Sequence, residues 1–371
     1  MRWLACILLV ACSSSDKPTT TTTAYQQQWT GDPMSISASR EVASEPFSFT
    51  IGPQNRVVRG TIVHPKTAGR WTGILLLAGS GPTDRDWNSA LIPTKNGSGA
   101  LLATELAKHG AVVMRFDKAG SGENAGPPVA DWTLDTYREE AQSALVFLRE
   151  RRDVRTERVF VAGHSEGGIH ATRLAAVAKL TGVIYLSSAS RTLADTILSQ
   201  LEAQLRNPIA MLSDKAIEQE LDGLRKAFAD FMAGKPVDPQ KASRIPQLQQ
   251  LVAGLVNPAT ASLTRALLGF DNAAEAPKLA GPFYVSAGGK DVQVDLERDS
   301  KRLEKALRDA GKDVTFHLSP DADHVLKHEP KTVEQIRADP QAAQNAYNAE
   351  GRVLDEDFVT ALVAWLAERS R

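Results

Sequence analysis

The sequence predicts an α/β protein: a doubly wound, mostly parallel sheet with a helical cap inserted in its later half. Three observations carry that prediction. From Trp71 onward, short apolar runs rich in β-branched residues alternate with amphipathic helical patterns, as strands covered on both faces by crossover helices do. The run Val159–Ala162 stops at Gly163-His164-Ser165-Glu166-Gly167-Gly168, and a helical pattern from Ile169 to Leu180 follows, so a sharp strand-to-helix turn lies mid-chain. Between about Arg191 and Ala276 the alternation lapses into helical pattern alone, too long a stretch for a plain loop in a compact domain.

Taken in order, Phe47–Ile51 and Val57–Val63 alternate with the period-2 pattern of strands around the turn residues Gly52-Pro53-Gln54-Asn55, which predicts an antiparallel hairpin at one sheet edge. Ile74–Leu77 is a continuous apolar run, as in a central strand, and it ends at Gly79. Leu101, Leu102, Leu106 and Ala107 lie at helical spacing within Gly99–His109, with Gly110 as a stop. Ala111–Phe116 reads as a strand, Leu134–Arg151 as an amphipathic helix, and Val183–Leu186 as the strand after the mid-chain turn. Phe283–Ser286, the helix Leu296–Ala310, the strand Val314–Leu318 and the helix Phe358–Ala367 complete the sheet. In the interval, Leu198, Leu201 and Leu205, then Ile217, Leu221, Leu224 and Phe228, then Leu248, Leu251 and Leu255 form helical stripes. Pro208, Pro236, Pro246 and Pro258 divide them into four helices. The expected organisation is a first core part at 32–190, a cap at 191–276 and a second core part at 277–371.

With 371 residues, 42% of them hydrophobic, the chain can bury a sizeable core. A net charge of −1 without a basic stripe argues against a nucleic-acid surface. At the N-terminus, Arg2 precedes an apolar stretch from Trp3 to Ala11 that is too short to span a bilayer and reads as a signal-peptide core. The segment is similar to the signal peptides of bacterial lipoproteins, since Leu9-Val10-Ala11-Cys12 fits their cleavage box at every position. That likeness implies cleavage after residue 11, lipidation of Cys12 and export to a membrane-anchored site. Ser13 after the cysteine points to the outer membrane in a cell that has one. An ordinary secretory signal is the alternative. Residues 12–31, rich in Ser, Thr and Gln, read as a flexible tether, because so polar a segment cannot offset the entropy of ordering.

The mid-chain turn is where chemistry is expected. Glycines at 163 and 167 let the chain turn tightly enough to lift the Ser165 hydroxyl out of the sheet at the N-terminus of a helix, where developing negative charge is favoured. A packing turn without chemistry is the alternative. A serine needs a base to take its proton and an acid to hold that base in one tautomer, and in this topology both follow later strands. Asp291 comes after Phe283–Ser286 and the glycines Gly288 and Gly289; His324 and His328 come after the last strand, His324 the more closely. Asp295 is the rival acid, with an N-cap as its plainer role, and Asp321 and Asp323 read as turn residues. His64, His109, His164, His170 and His317 lie on the edge hairpin, a helix end, the turn itself, the next helix and a strand, away from the position a base should occupy. Two N–H donors for an oxyanion are expected from Glu166, after the serine, and from Ser80 in Ala78-Gly79-Ser80-Gly81-Pro82. Asp84-Arg85-Asp86 reads either as an anion-binding tract or as an ion-pair network that holds this loop.

From the hairpin to the last helix the chain resembles the α/β-hydrolase superfamily. Gly79-Ser80-Gly81-Pro82-Thr83-Asp84-Arg85-Asp86, Arg115-Phe116-Asp117-Lys118-Ala119-Gly120-Ser121-Gly122, the Gly163–Gly168 turn and Asp323-His324-Val325-Leu326-Lys327 look like bacterial esterases related to dienelactone hydrolases and to serine aminopeptidase-like hydrolases. The resemblance implies Ser165 as nucleophile, Asp291 as acid, His324 as base, no metal or cofactor, and small carboxylic esters as substrates. It departs at the nucleophile, a serine where dienelactone hydrolases use cysteine, and the propeller domain common in peptidase relatives is missing. An amidase or peptidase with the same residues is the alternative activity. A surface-binding lipoprotein that has lost turnover on this fold is the alternative of another class.

Overall fold

The computed structural model describes residues 34–52, 55–89, 95–125, 132–207, 210–339, 346–347, 349 and 351–371. The leader at 1–11, the tether at 12–31 and the lipidation candidate Cys12 lie outside the described residues. Strands β1 (Val42–Ile51), β2 (Arg56–Pro65), β3 (Trp71–Leu77), β4 (Ala111–Phe116), β5 (Val154–His164), β6 (Gly182–Leu186), β7 (Phe283–Gly288) and β8 (Val314–Ser319) form one sheet in the order β1-β2-β4-β3-β5-β6-β7-β8. The β1–β2 and β2–β4 pairs are antiparallel, and every pair from β4–β3 to β7–β8 is parallel.

The central strands read as unbroken apolar runs because successive side chains enter two different cores. Val159 and Val161 of β5 pack with helices α2 (Leu134–Arg149), α3 (Gly167–Ala175) and α10 (Arg302–Asp309), through Leu145, Leu148, Leu174 and Leu303. Phe160 and Ala162 face the other way, onto α1 (Ser98–Lys108) and α11 (Glu356–Arg369), among Leu102, Leu106, Leu362 and Leu366. Helix α3 stops at Ala175, short of the expected Leu180, because the chain must turn back to pair Thr181 N–H with the Val159 carbonyl (2.8 Å) before β6 begins.

Between β6 and β7 lie α4 (Leu193–Leu205), α5 (Asp214–Met232), α6 (Pro239–Ala242), α7 (Pro246–Leu255), α8 (Ala261–Leu268) and α9 (Asn272–Glu275). The proline spacing predicts four helices, and the described residues hold six segments. The two extra ones, α6 and α9, are single turns, too short for a hydrophobic stripe to reveal. The stripes of α4, α5 and α7 close on one another in a third core that contains Ile197, Leu201, Leu221, Leu224, Phe228 and Leu251.

Both ends of this helical segment are tied to one place. The turn at Leu296–Lys301 that leads into α10 is a π-helix rather than the expected α-helix, and its wider winding carries the fully buried Asp299 inward. Asp299 accepts from the Ser190 N–H (3.1 Å), the Arg191 N–H (3.2 Å) and the Arg191 guanidinium (2.8 Å), where the chain leaves the sheet. Arg302 binds the Ser190 carbonyl (2.7 Å) and the Asp271 carboxylate (2.7 Å), where the chain returns. Removing one partner of a buried ion pair leaves the other charged and unpaired, at a cost of about 3 kcal/mol or more. Asp299→Ala is therefore expected to lower the urea midpoint by an amount equivalent to ~3 kcal/mol, and an unchanged midpoint would show that this carboxylate does not hold the junction.

Candidate active site

Ser165 sits between the last residue of β5 and the first turn of α3 in the left-handed backbone region, at φ 53°. An L-residue held there costs on the order of 1–3 kcal/mol, so the surroundings must enforce it. Its N–H donates to the Leu186 carbonyl of the neighbouring strand at 3.0 Å, and its carbonyl accepts from the Ser188 hydroxyl at 2.7 Å. Only glycine fits at 163, where a Cβ would overlap the Gly167 carbonyl. Trp87, Ser187 and Leu326, all in loops around this turn, also have positive φ, so four of the six described non-glycine residues of that kind gather here.

Asp291 and His324 meet across the ends of β7 and β8: His324 Nδ1 lies 2.9 Å from Asp291 Oδ2, and both side chains are buried. The other carboxylate oxygen of Asp291 accepts from the N–H groups of Gln293 (2.8 Å) and Val294 (3.0 Å), which fixes its plane. Burial disfavours a charged His324 ring, but the Asp291 carboxylate, by charge and by hydrogen bond, and the Asp323 carboxylate outweigh it and raise its pKa above the ordinary value near 6.5.

The neighbour of the serine also holds His324. His164 Nε2 lies 2.8 Å from the His324 carbonyl oxygen, and its ring is stacked on Trp87 (centroids 4.4 Å apart) and tilted by 49° against the His324 ring (4.9 Å). Burial, reinforced by the charge on His324, pushes His164 down to about 3, so it stays neutral and donates from Nε2. Asp323, read from the sequence as a turn residue, is instead a buried anchor: it accepts from the N–H groups of Val325 (3.0 Å) and Lys327 (2.9 Å) and from Arg352 (2.8 Å). Lys327 fastens the same loop through the Asn96 (2.6 Å) and Tyr347 (3.0 Å) carbonyls, and burial with the nearby Arg352 brings it down to about 8.

The loop carrying Ser80 lies directly against the serine. A Cβ on Gly79 would fall 3.2 Å from the Ser165 Cβ and 3.3 Å from His164 Nδ1. Behind the loop, the buried Lys118 donates to the Gly79 carbonyl oxygen and stands 3.6 Å from Glu166 Oε1. Burial would raise the Glu166 carboxyl, but Lys118 and His170, whose Nε2 is 3.3 Å away, hold it at about 2. The tract Asp84-Arg85-Asp86 has the geometry of an ion-pair network: Arg85 binds Asp117 (2.5 Å) and Glu123 (2.8 Å), Asp86 binds Arg115 (2.8 Å), and Asp84 accepts from the N–H groups of Asp86 and Asn88. Of the rivals, Asp295 caps the next turn through the N–H groups of Glu297 and Arg298, and His328 is half exposed beside Asp355 at 3.4 Å. Sequence reasoning gave no role to Trp87, His164 or Lys118. Their only signal was adjacency to motifs already recognised.

Residues 96–331, more than half of the chain, match the family model described as serine aminopeptidase, S33. The chain belongs to this family. It is 26% identical over 309 residues to esterase EstD of Thermotoga maritima, an alignment that takes in 83% of this chain and 65% of that protein. The chain thus spans just under two thirds of that relative's length. Among solved structures it is similar to brefeldin A esterase, a bacterial homologue of human hormone sensitive lipase, with a TM-score of 0.50 and 17% identity over 90% of this chain and 79% of that one. The sheet order and this likeness make the fold of this S33 protein an α/β-hydrolase fold.

The two histidines are expected to titrate apart. By ring NMR, His324 should titrate above 6.5 and His164 should stay neutral down to about pH 4. The sign differs between them. Stability from charged His324 is present below its unfolded pKa and lost as pH rises through the folded value; stability from neutral His164 is present at neutral pH and lost as pH falls toward 3. Asp291→Asn should lower the His324 value, and no change would mean that the carboxylate does not govern the ring.

Proposed function

We propose that this protein is a serine hydrolase that cleaves small carboxylic esters through an acyl-enzyme on Ser165. The observation that carries the reading is the buried 2.9 Å contact between His324 Nδ1 and Asp291, on loops after two strands of the same sheet that presents Ser165 in a left-handed turn. With Nδ1 committed to the carboxylate, Nε2 is the nitrogen that takes the serine proton. The serine oxygen then adds to the ester carbonyl, and the N–H groups of Glu166 and Ser80 hold the negative oxygen. His324 returns its proton to the leaving alcohol; water, deprotonated by the same ring, releases the acid. The raised His324 pKa favours the ring that is charged in the transition state. The name of the relative EstD supports an ester rather than an amide as substrate, and on this reading the helices between Arg191 and Ala276 would shape the acyl or alcohol pocket.

The test is intact-mass analysis after exposure to a fluorophosphonate, with hydrolysis followed on short-chain aryl esters and, for the amidase reading, on aryl amides. One adduct is expected on the native protein and none on Ser165→Ala, which should lose ester turnover by at least ~10⁴-fold while keeping its thermal midpoint. His324→Ala should be as inactive and His328→Ala should not; the reverse would assign the base to His328. A native protein that takes no adduct and hydrolyses neither series would favour a binding lipoprotein instead.

The N-terminal sequence supports a further part of this proposal: an exported protein held to the cell envelope by lipid on Cys12, at the outer membrane where one exists. Cys12→Ser is expected to move the protein from the membrane fraction to the soluble one, and retention at the membrane would rule out anchoring through this residue.

A further inference from the structure

Lys118 is an expensive residue to place where it is. It lies on the turn after β4, is buried, and is drawn below the ordinary lysine range by that burial, against the opposing pull of Glu166 and Glu140. Burying an ammonium costs several kcal/mol unless it is well paired. Its contacts are few and directed: the Gly79 carbonyl oxygen, the Glu166 carboxylate at 3.6 Å and the face of the Tyr137 ring at 5.8 Å. Each of the first two belongs to a residue next to, or carrying, one of the two N–H groups assigned above to the oxyanion.

The Gly79 carbonyl and the Ser80 N–H are the two ends of one peptide group. All described peptide bonds are trans, so carbonyl and N–H point in opposite directions from a single plane. A cation fixed on the carbonyl oxygen therefore sets the direction of the Ser80 N–H, away from Lys118. It also polarises the peptide, which makes that N–H a stronger donor. Glu166 carries the other N–H on its own backbone, and its side chain reaches back to the same ammonium and to His170. One buried charge thus touches both the loop after β3 and the turn that carries Ser165.

We propose that Lys118 is a positioning residue for the oxyanion: it orients and polarises the Gly79–Ser80 peptide and, through Glu166, registers that loop against the nucleophile turn. This rests on the reading of Ser165 as nucleophile and of Ser80 and Glu166 as donors. Its effect should appear only where negative charge develops on the substrate oxygen.

The experiment compares Lys118→Met, Lys118→Gln and Lys118→Arg with the native protein in two binding measurements beside ester turnover. An aliphatic trifluoromethyl ketone adds to the serine and leaves an oxyanion; the matching trifluoromethyl alcohol has the same shape without one. Lys118→Met is expected to lower kcat by about 10²-fold with KM changed less than about threefold, the scale of losing one oxyanion donor. Ketone affinity should fall in parallel and alcohol affinity should not. Lys118→Arg should recover most of the loss, and Lys118→Gln, which can still donate to the Gly79 carbonyl, should lie between. Should the methionine variant fail to fold, the glutamine and arginine variants carry the same comparison. Undiminished ketone affinity in the folded variants overturns the role of Lys118, as does an equal loss for ketone and alcohol, which marks general damage. A native protein that binds neither ketone nor fluorophosphonate overturns the nucleophile reading itself, so the two failures are told apart.

Discussion

The structure depends on one local constraint, the left-handed backbone of Ser165 between a central strand and a helix. A residue in that conformation is tolerated only where its surroundings leave no alternative. Here the turn is so tight that Gly163 and the Gly167 carbonyl are in contact, and the strands on both sides contribute: β6 accepts the Ser165 N–H, and the loop after β3 lies against its Cβ. The turn is stable only inside a finished sheet, which ties the geometry of this side chain to the pairing of β3, β5 and β6.

Around that turn, polar groups are held by buried partners rather than by solvent. His324 is held at three points: by Asp291 at its ring, by His164 at its carbonyl and by Asp323 through the loop that carries it. Lys118 and Lys327 each give a buried ammonium to main-chain carbonyls. Such groups contribute little net stability, since desolvation offsets most of their attraction, but they leave few alternative arrangements with every partner satisfied. The cost is carried by two apolar cores, one on each face of the sheet.

The helices between β6 and β7 form a separate apolar core and join the rest through the Asp299, Arg191 and Arg302 cluster, with α4 also reaching the loop after β7 through Gln200 to the Gln293 carbonyl at 2.8 Å. The Gln200 contact sets α4 beside the loop that holds Asp291.

The sequence by itself determined the alternation of strands and helices, the turn at Ser165 and the order in which Asp291 and His324 follow it, because these depend on periodicity and on glycine at a few positions. The edge hairpin and the stripes of the longer inserted helices were legible for the same reason. What only the tertiary structure decided was pairing across distance: that His164 grips a carbonyl 160 positions away, that Asp323 is an anchor and not a turn residue, that Asp299 meets Ser190 from a π-turn, and that Lys118 meets both Gly79 and Glu166. A charged or aromatic residue looks the same in sequence whether it faces water or a buried partner. Its role is set by the desolvation it undergoes and the groups that answer it, and those exist only once the chain has folded.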